Sequence, residues 1–141
     1  MEETPYDEAR LRRYFAGDAL AELLGMELLD VAPGSARVRM DVKPEHLNSF
    51  RTAHGGTIFA LADYAFEAAA NAYGTVAVAL NVSISFIKAA GLGELTAEAV
   101  EASTGNRVRN YDITIRDAGG ETVALFHGMV YRKRDEIALP D

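Results

Sequence analysis

The spacing of hydrophobic residues along the chain changes twice, and each change predicts a different kind of element. In residues 5–24, hydrophobic side chains recur three and four positions apart, which predicts two short helices separated at Gly17. From residue 26 to residue 42 they alternate with polar side chains, and Pro33-Gly34-Ser35 interrupts the alternation. This second pattern predicts a β-hairpin.

A long hydrophobic helix is predicted from Gly55 to Tyr73. Apolar side chains occupy nearly all of its circumference, and a helix of this kind must be buried. From Val76 to Phe86, large apolar side chains then stand at every second position, with small or polar ones between them. This predicts a long strand whose small-residue face is either solvated or packed against a second copy of the chain.

Three more strands are predicted over residues 94–103, 107–116 and 121–132, separated by Thr104-Gly105-Asn106 and Ala118-Gly119-Gly120. The charged tail, residues 132–141, is expected to fray. Together the patterns predict a single α+β domain over residues 1–141, in which a curved antiparallel sheet of about five strands wraps one long central helix.

Composition narrows the range of functions. The chain has 141 residues, which suits one domain, and no cysteine, which excludes disulfides, thiolate metal sites and a cysteine nucleophile. Its net charge of −7 makes nucleic acid and anionic membrane poor partners. Because it also lacks a signal-peptide pattern and an apolar run of about 18 residues, we expect a cytoplasmic protein.

Three polar residues interrupt the long helix at intervals of four: Asp63, Glu67 and Asn71. A carboxylate in an apolar helix costs free energy unless something compensates for its burial. For Glu67 and Asn71, a position facing solvent or the ends of the sheet is as good an explanation as a functional role. Asp63 has apolar neighbours on both sides along the chain, so it is the stronger candidate for a functional carboxylate.

The same helix begins with His54-Gly55-Gly56. Glycines at a helix N-terminus leave backbone N–H groups unobstructed, and the helix dipole adds positive potential there. Such a group can polarise a carbonyl oxygen. Taken alone, however, the tripeptide is also what a tight turn into a helix requires.

The string HLNSFRTAHGGTIFALADYAFEAAAN, residues 46–71, resembles the signature of the hotdog-fold acyl-CoA thioesterases, in particular the phenylacetate-degradation type. The resemblance implies hydrolysis of acyl-CoA without a cofactor, in a fold that forms dimers and often tetramers. It also implies roles for four residues. Asp63 would be the catalytic carboxylate and Gly55 the amide that polarises the thioester carbonyl, while Asn48 and His54 would orient the thioester or water.

The chain departs from the family pattern at three places. Arg51 stands where relatives usually have glycine, Lys88-Ala89-Ala90 where arginine-proline is common, and Glu67 where a small or hydroxylic residue is frequent. Coenzyme A carries phosphates, so an acidic protein that binds it needs local positive charge. The candidates are Arg51, Lys88, Arg107 and Arg109, each of which could instead be a solvated charge protecting a strand edge.

Helix geometry predicts a site shared between two chains. Gly55 and Asp63 are eight residues apart, so their backbones lie roughly 12 Å apart along the axis of one helix. One thioester cannot easily contact both groups at that separation. Two antiparallel helices would bring Gly55 of one subunit beside Asp63 of its partner, which predicts a homo-oligomer built from dimers.

Three alternatives remain open at this point. A hydratase or dehydratase of acyl thioesters would use His54 and Asp63 as paired acid and base. A noncatalytic acyl-CoA sensor or structural dimer on the same scaffold would have no need of a buried carboxylate such as Asp63. A metal site could be built from His46, His54 and Asp63, although their spacings match no common ligand motif. His127, which lies in the last predicted strand, is expected to be a structural histidine.

Overall fold

The computed structural model describes residues 7–103, 105 and 107–141 and contains three α-helices and six strands within them. Both strands of the predicted hairpin join the main sheet, so the sheet has six strands rather than about five. The elements, with a short 3-10 turn at Pro44–His46, are α1 Glu8–Phe15, α2 Ala19–Leu23, β1 Glu27–Ala32, β2 Ser35–Val42, α3 Gly55–Asn71, β3 Thr75–Phe86, β4 Gly93–Ser103, β5 Val108–Asp117 and β6 Thr122–Glu136.

The strands form one sheet in the order β1-β2-β4-β5-β6-β3, and all neighbours are antiparallel. The sheet curves around α3, whose closest packing is against β2, β4 and β5. Leu61, Ala62 and Ala65 of α3 have no solvent exposure. The predicted α+β architecture, with a curved antiparallel sheet around one long helix, is therefore confirmed.

The helix lies close to the sheet because a glycine faces it. A Cβ atom at Gly128 of β6 would lie 2.5 Å from Cζ of Phe66, a separation that carbon atoms do not tolerate. The Phe66 ring fills the space that a side chain at Gly128 would need, and its edge also contacts Tyr111 and Phe126. Gly128 thereby sets how deeply α3 sits in the sheet.

The two predicted N-terminal helices are α1 and α2, although residues 5 and 6 of the predicted range lie outside the described residues. Each begins at an aspartate whose carboxylate accepts a backbone N–H, Arg10 N–H at Asp7 and Ala21 N–H at Asp18. The Arg12 guanidinium donates to the carbonyl oxygens of Leu28 and Leu29, at 2.8 and 2.6 Å. This contact attaches α1 to the edge strand β1.

The C-terminal segment departs from its prediction as a frayed tail. Strand β6 continues to Glu136, and the backbone N–H of Ile137 donates to Gly74 O at 3.0 Å. Ile137 is buried, and the Arg10 guanidinium donates to Pro140 O at 2.9 Å. The prediction was wrong because it relied on the charged residues of this segment and not on its apolar side chains, which pack against the core.

One of the predicted turns lies partly outside the described residues. Of the predicted turn Thr104-Gly105-Asn106, the residues Thr104 and Asn106 lie outside the described residues.

Within the described ranges, no helix is both long enough and apolar enough to cross a membrane.

Candidate active site

Asp63 lies on the one stripe of α3 that the sheet leaves partly uncovered. The residues of α3 outside its buried set are Gly55, Gly56, Phe59, Ala60, Asp63 and Glu67. A small cavity of about 40 Å³ touches Asp63, and its lining is Asp18, Leu20, Ala21, Met26, Ala60, Asp63 and Tyr64. Partial burial, together with the negative charge of Asp18, raises the pKa of Asp63.

Two further carboxyl groups lie close to Asp63. Glu67 follows it by one helical turn, and Asp18 approaches both from the start of α2. Burial raises the pKa of Glu67 to about 7, with contributions from the charges of Asp18 and Asp63 and from a hydrogen bond with Asp18. The sequence did not indicate that Asp18 belongs to this cluster, because Asp18 and Glu67 are 49 positions apart in the chain.

The start of α3 presents a free amide hydrogen. The backbone N–H of Gly56 donates to Nδ1 of His54 at 2.8 Å, and those of Thr57 and Ile58 donate to His54 O. The N–H of Gly55 has no acceptor in the described part of the chain. Because Nδ1 of His54 accepts a hydrogen bond, the neutral imidazole carries its proton on Nε2.

The ring of Phe86, at the end of β3, lies directly against Gly55. A Cβ atom built on Gly55 would be 3.4 Å from Cζ of Phe86. The end of the edge strand β3 is therefore adjacent to the start of α3. This places the predicted oxyanion donor at the side of the molecule where the sheet has an open edge.

Asn48 shapes the loop before α3. Its side-chain oxygen accepts the N–H groups of Phe50 and Thr52, at 2.9 and 3.1 Å, and its amide donates to the Thr52 hydroxyl at 3.0 Å. Arg51 stands in this loop in the left-handed conformation, with φ 60°. Its position therefore has the backbone geometry that favours glycine, the residue that the family resemblance leads us to expect there.

The three residues of the possible metal site do not form one. His46 is buried, and its Nδ1 accepts the backbone N–H of Lys43 at 3.0 Å. Across the described ranges, no group of three or more His, Cys, Asp or Glu side chains is arranged to hold a metal ion.

Two of the four basic candidates form ion pairs within the chain. Lys88 pairs with Asp117 and Glu121, which raise its pKa to about 12. Arg109 pairs with Glu101 at 2.9 Å and covers the Tyr73 ring.

The other two basic candidates differ in their surroundings. Arg107 donates to Arg132 O at 3.3 Å. Arg132 lies over the ring of Tyr73, which follows α3 at the end opposite Gly55. Arg51 is exposed and has no side-chain partner in the described part of the chain.

Asn71 and His127, two other polar residues noted in the sequence, form side-chain hydrogen bonds within the chain. Asn71 is buried, and its side chain donates to Glu67 O and accepts Ala77 N–H, so it connects the end of α3 to β3. His127 is exposed on the outer face of the sheet, between Asp112 at 2.8 Å and Asn110 at 3.0 Å. His127 lies on the face of the sheet opposite α3.

Comparison with known proteins identifies the family. The model of the Thioesterase superfamily matches residues 50–124, the segment from the loop before α3 to the start of β6. The chain is 39% identical over 119 residues to the acyl-coenzyme A thioesterase PaaI of Escherichia coli K12, covering 84% of this chain and 85% of PaaI. The chain belongs to the Thioesterase superfamily.

Solved structures of thioesterases have the same fold. The E. coli PaaI protein from the phenylacetic acid degradation operon superposes with a TM-score of 0.88 at 36% identity, covering 92% of this chain and 95% of PaaI. A hypothetical thioesterase protein from Streptococcus pneumoniae TIGR4, solved with coenzyme A, has a TM-score of 0.81 at 25% identity, covering 89% of this chain and 98% of that protein. The chain is thus a PaaI-like thioester hydrolase with the hotdog fold.

Proposed function

We propose that this thioesterase hydrolyses acyl-CoA to a free acid and coenzyme A, with Asp63 as the reacting carboxylate. Asp63 either attacks the thioester carbon or removes a proton from the attacking water. The carbon–sulfur bond then breaks, and the coenzyme A thiolate leaves and takes up a proton. Where Asp63 is the attacking group, water then hydrolyses the acyl–Asp63 anhydride, which releases the free acid and restores the carboxylate. The observation that carries the proposal is that a half-buried carboxylate and an unpaired amide hydrogen lie on one helix of a Thioesterase superfamily member.

The amide of Gly55 would hold the negative charge that develops on the thioester oxygen. We place this donor on the partner subunit, because the helical rise separates Gly55 from Asp63 of the same chain by roughly 12 Å. Two features support the arrangement. The start of α3 adjoins β3, whose outer edge pairs with no strand of the described chain, and the stripe of α3 that carries Asp63 is incompletely covered.

The other predicted site residues have supporting roles in this proposal. Asn48 holds the loop before α3 in shape, and His54 caps α3 and keeps an Nε2–H free to orient water or the thioester. Arg51 is the candidate for a coenzyme A phosphate, because no carboxylate among the described residues pairs with its side chain. Lys88, Arg107 and Arg109 would have to exchange existing contacts to do the same.

The first test replaces the carboxylate. Asp63→Asn preserves the size of the side chain and removes its charge, so turnover of acyl-CoA should fall about a hundredfold or more while folding is retained. Asp135→Asn, the same change at an exposed position of β6, is the matched control and should retain the rate. Thiol release can be followed with a thiol reagent, since the chain contains no cysteine. A wild-type rate in Asp63→Asn would overturn the assignment.

The second test asks whether the site is shared. Gly55→Pro removes the amide hydrogen, so it should be inactive, as Asp63→Asn should be. Dissociating and reassembling an equal mixture makes about half of the dimers mixed, each with one intact site of two. About a quarter of the wild-type activity should return. Absence of recovery, with subunit exchange verified by mass spectrometry, would place both groups in one chain.

A further inference from the structure

Two arginine side chains lie over the ring of Tyr73, just beyond the end of α3. The guanidinium carbons of Arg109 in β5 and Arg132 in β6 are 4.6 and 4.5 Å from the centre of the ring. Arg109 pairs with Glu101 at 2.9 Å, whereas Arg132 pairs with no carboxylate among the described residues. The side chain of Arg132 donates instead to the Thr75 hydroxyl at 2.8 Å, at the start of β3.

This group of side chains carries a net positive charge. Arg107, whose guanidinium donates to Arg132 O at 3.3 Å, adds a third cation, and Glu101 is the carboxylate that pairs within the group. We call Tyr73, Glu101 and the three arginines the Tyr73 cluster. Its charge contrasts with the net charge of −7 of the whole chain.

Arg132 is the member of the Tyr73 cluster that is free to bind an anion. A guanidinium has five N–H donors, and the side-chain hydrogen bond of Arg132 to Thr75 uses one group of them. Burial lowers the pKa of Arg132, and the charge of Arg109 lowers it further. A bound anion would favour the charged form of Arg132 and so offset both effects.

The Tyr73 cluster lies about one substrate arm away from the proposed catalytic carboxylate. From Asp63 to Asn71, α3 advances roughly 12 Å, and Tyr73 follows just beyond its end. The pantetheine arm of coenzyme A joins the thioester sulfur to the diphosphate through two amide bonds. Its length is that of a peptide of four or five residues, roughly 15 Å when extended. A thioester held at Asp63 can thus bring its diphosphate to the Tyr73 cluster.

The shared site proposed above adds positive charge at the same place. If Gly55 of the partner subunit lies beside Asp63, the two antiparallel helices overlap along their first halves. The second half of α3 then runs beside the segment that precedes α3 in the partner, and this segment carries Arg51. Arg51 of the partner subunit and Arg132 would therefore flank the same part of a bound coenzyme A.

We infer that Arg132 binds the diphosphate of coenzyme A, in the site that contains Asp63 of the same chain. This inference rests on the function proposed above. A guanidinium presents paired N–H donors that match two phosphate oxygens. The Tyr73 ring and the Thr75 hydroxyl hold the Arg132 side chain in place, and no ion pair has to break before it binds the diphosphate.

The kinetic test compares acetyl-CoA with S-acetylpantetheine, the same thioester without phosphates. Arg132→Gln should raise KM for acetyl-CoA about tenfold and leave kcat largely unchanged, because it removes a contact far from the reacting atoms. KM for S-acetylpantetheine should be the same in the variant and the wild type. Arg132→Lys keeps the charge but not the paired donors, so its KM for acetyl-CoA should lie between those of the wild type and Arg132→Gln.

The matched control is Arg37→Gln, which removes an exposed cation from β2, four places from β3 in the sheet. It should retain both KM values. An unchanged KM for acetyl-CoA in folded Arg132→Gln or, should that variant not fold, a wild-type KM in Arg132→Lys would overturn the inference. An equal rise for both thioesters would also overturn it, because the role of Arg132 would then be structural.

A binding measurement does not depend on turnover. In titration calorimetry, Arg132→Gln should bind coenzyme A about tenfold more weakly than the wild type does. Dephospho-CoA, which retains the diphosphate and lacks the 3′-phosphate, should lose the same factor. A loss confined to coenzyme A would mean that Arg132 contacts the 3′-phosphate and would overturn the diphosphate assignment. Equal affinities in wild type and variant would refute the inference even if Asp63 proves catalytic, whereas an active Asp63→Asn enzyme would refute the proposed function alone.

Discussion

Two buried tyrosines show how differently a hydroxyl group can be accommodated in this core. The hydroxyl of Tyr64 donates to Phe15 O at 2.9 Å and so connects α3 to the end of α1. The hydroxyl of Tyr111 is buried without a hydrogen-bond partner in the described part of the chain, and burial raises the pKa of this group. A buried polar group without a partner costs free energy that an apolar side chain of the same shape avoids.

We therefore expect the same substitution to have different effects on stability at these two positions. Tyr64→Phe should lower the free energy of unfolding by about 1 kcal/mol, because Phe15 O loses its donor. Tyr111→Phe should leave stability unchanged within about 0.5 kcal/mol or increase it. Urea denaturation of both variants beside the wild type measures the difference. A larger loss in Tyr111→Phe than in Tyr64→Phe would mean that the Tyr111 hydroxyl has a favourable partner in solution.

At the scale of elements, the two edge strands of the sheet differ in how far other elements cover them. The edge strand β1 is contacted by α1, whose Arg12 donates to the carbonyls of Leu28 and Leu29 where the β1–β2 register shifts. The other edge strand, β3, has no such cover among the described elements, and it carries exposed apolar residues such as Val78 and Leu80. An open edge of this kind favours pairing with another strand.

Arg12 is expected to carry much of the attachment of α1. Arg12→Ala removes both hydrogen bonds to β1, so amide hydrogens of α1 should exchange about tenfold faster or more. Arg13→Ala is the matched control, since Arg13 is the exposed neighbour on the same helix. Hydrogen exchange followed by mass spectrometry over residues 8–15 distinguishes the two variants. Equal protection in both would show that α1 is held by its buried Leu11 and Phe15 alone.

At the scale of the whole molecule, the single chain leaves a connected region incompletely covered. It comprises the outer edge of β3, the start of α3 beside Phe86, and the stripe of α3 that carries Asp63. The predicted homo-oligomer would bury all three at once, and it would also complete the proposed site. One interface would therefore serve both stability and chemistry.

A charged residue on the open edge should prevent this association. Leu80 is 54% exposed in the single chain, and Leu80→Lys would place a cation where we expect β3 to meet its partner. The variant should be largely monomeric by light scattering at micromolar concentration and should lose most of its thioesterase activity. Leu92→Lys, an equally drastic change at an exposed loop position, should remain oligomeric and active. A dimeric and active Leu80→Lys protein would argue against this edge as the interface.

Much of this architecture could be predicted from local patterns. The hairpin, the long strand and the buried helix follow from the periods of apolar residues, because the two periods, about 3.6 and 2, correspond to the two regular backbones. The motif around His54, Gly55 and Asp63 indicated the family, and the family match confirms it. These features depend on residues that are close together in the chain.

The features that only the tertiary structure decided depend on residues far apart in the chain. The segment around Ile137 is held in place because Ile137 packs against the core and its N–H donates to Gly74 O. The pKa of Glu67 is raised first by burial and then by the charge of Asp18, which approaches it only after α2 docks on α3. Period and motif describe neighbours along the chain, whereas burial and charge interactions depend on neighbours in space, and those are set only when the sheet closes around α3.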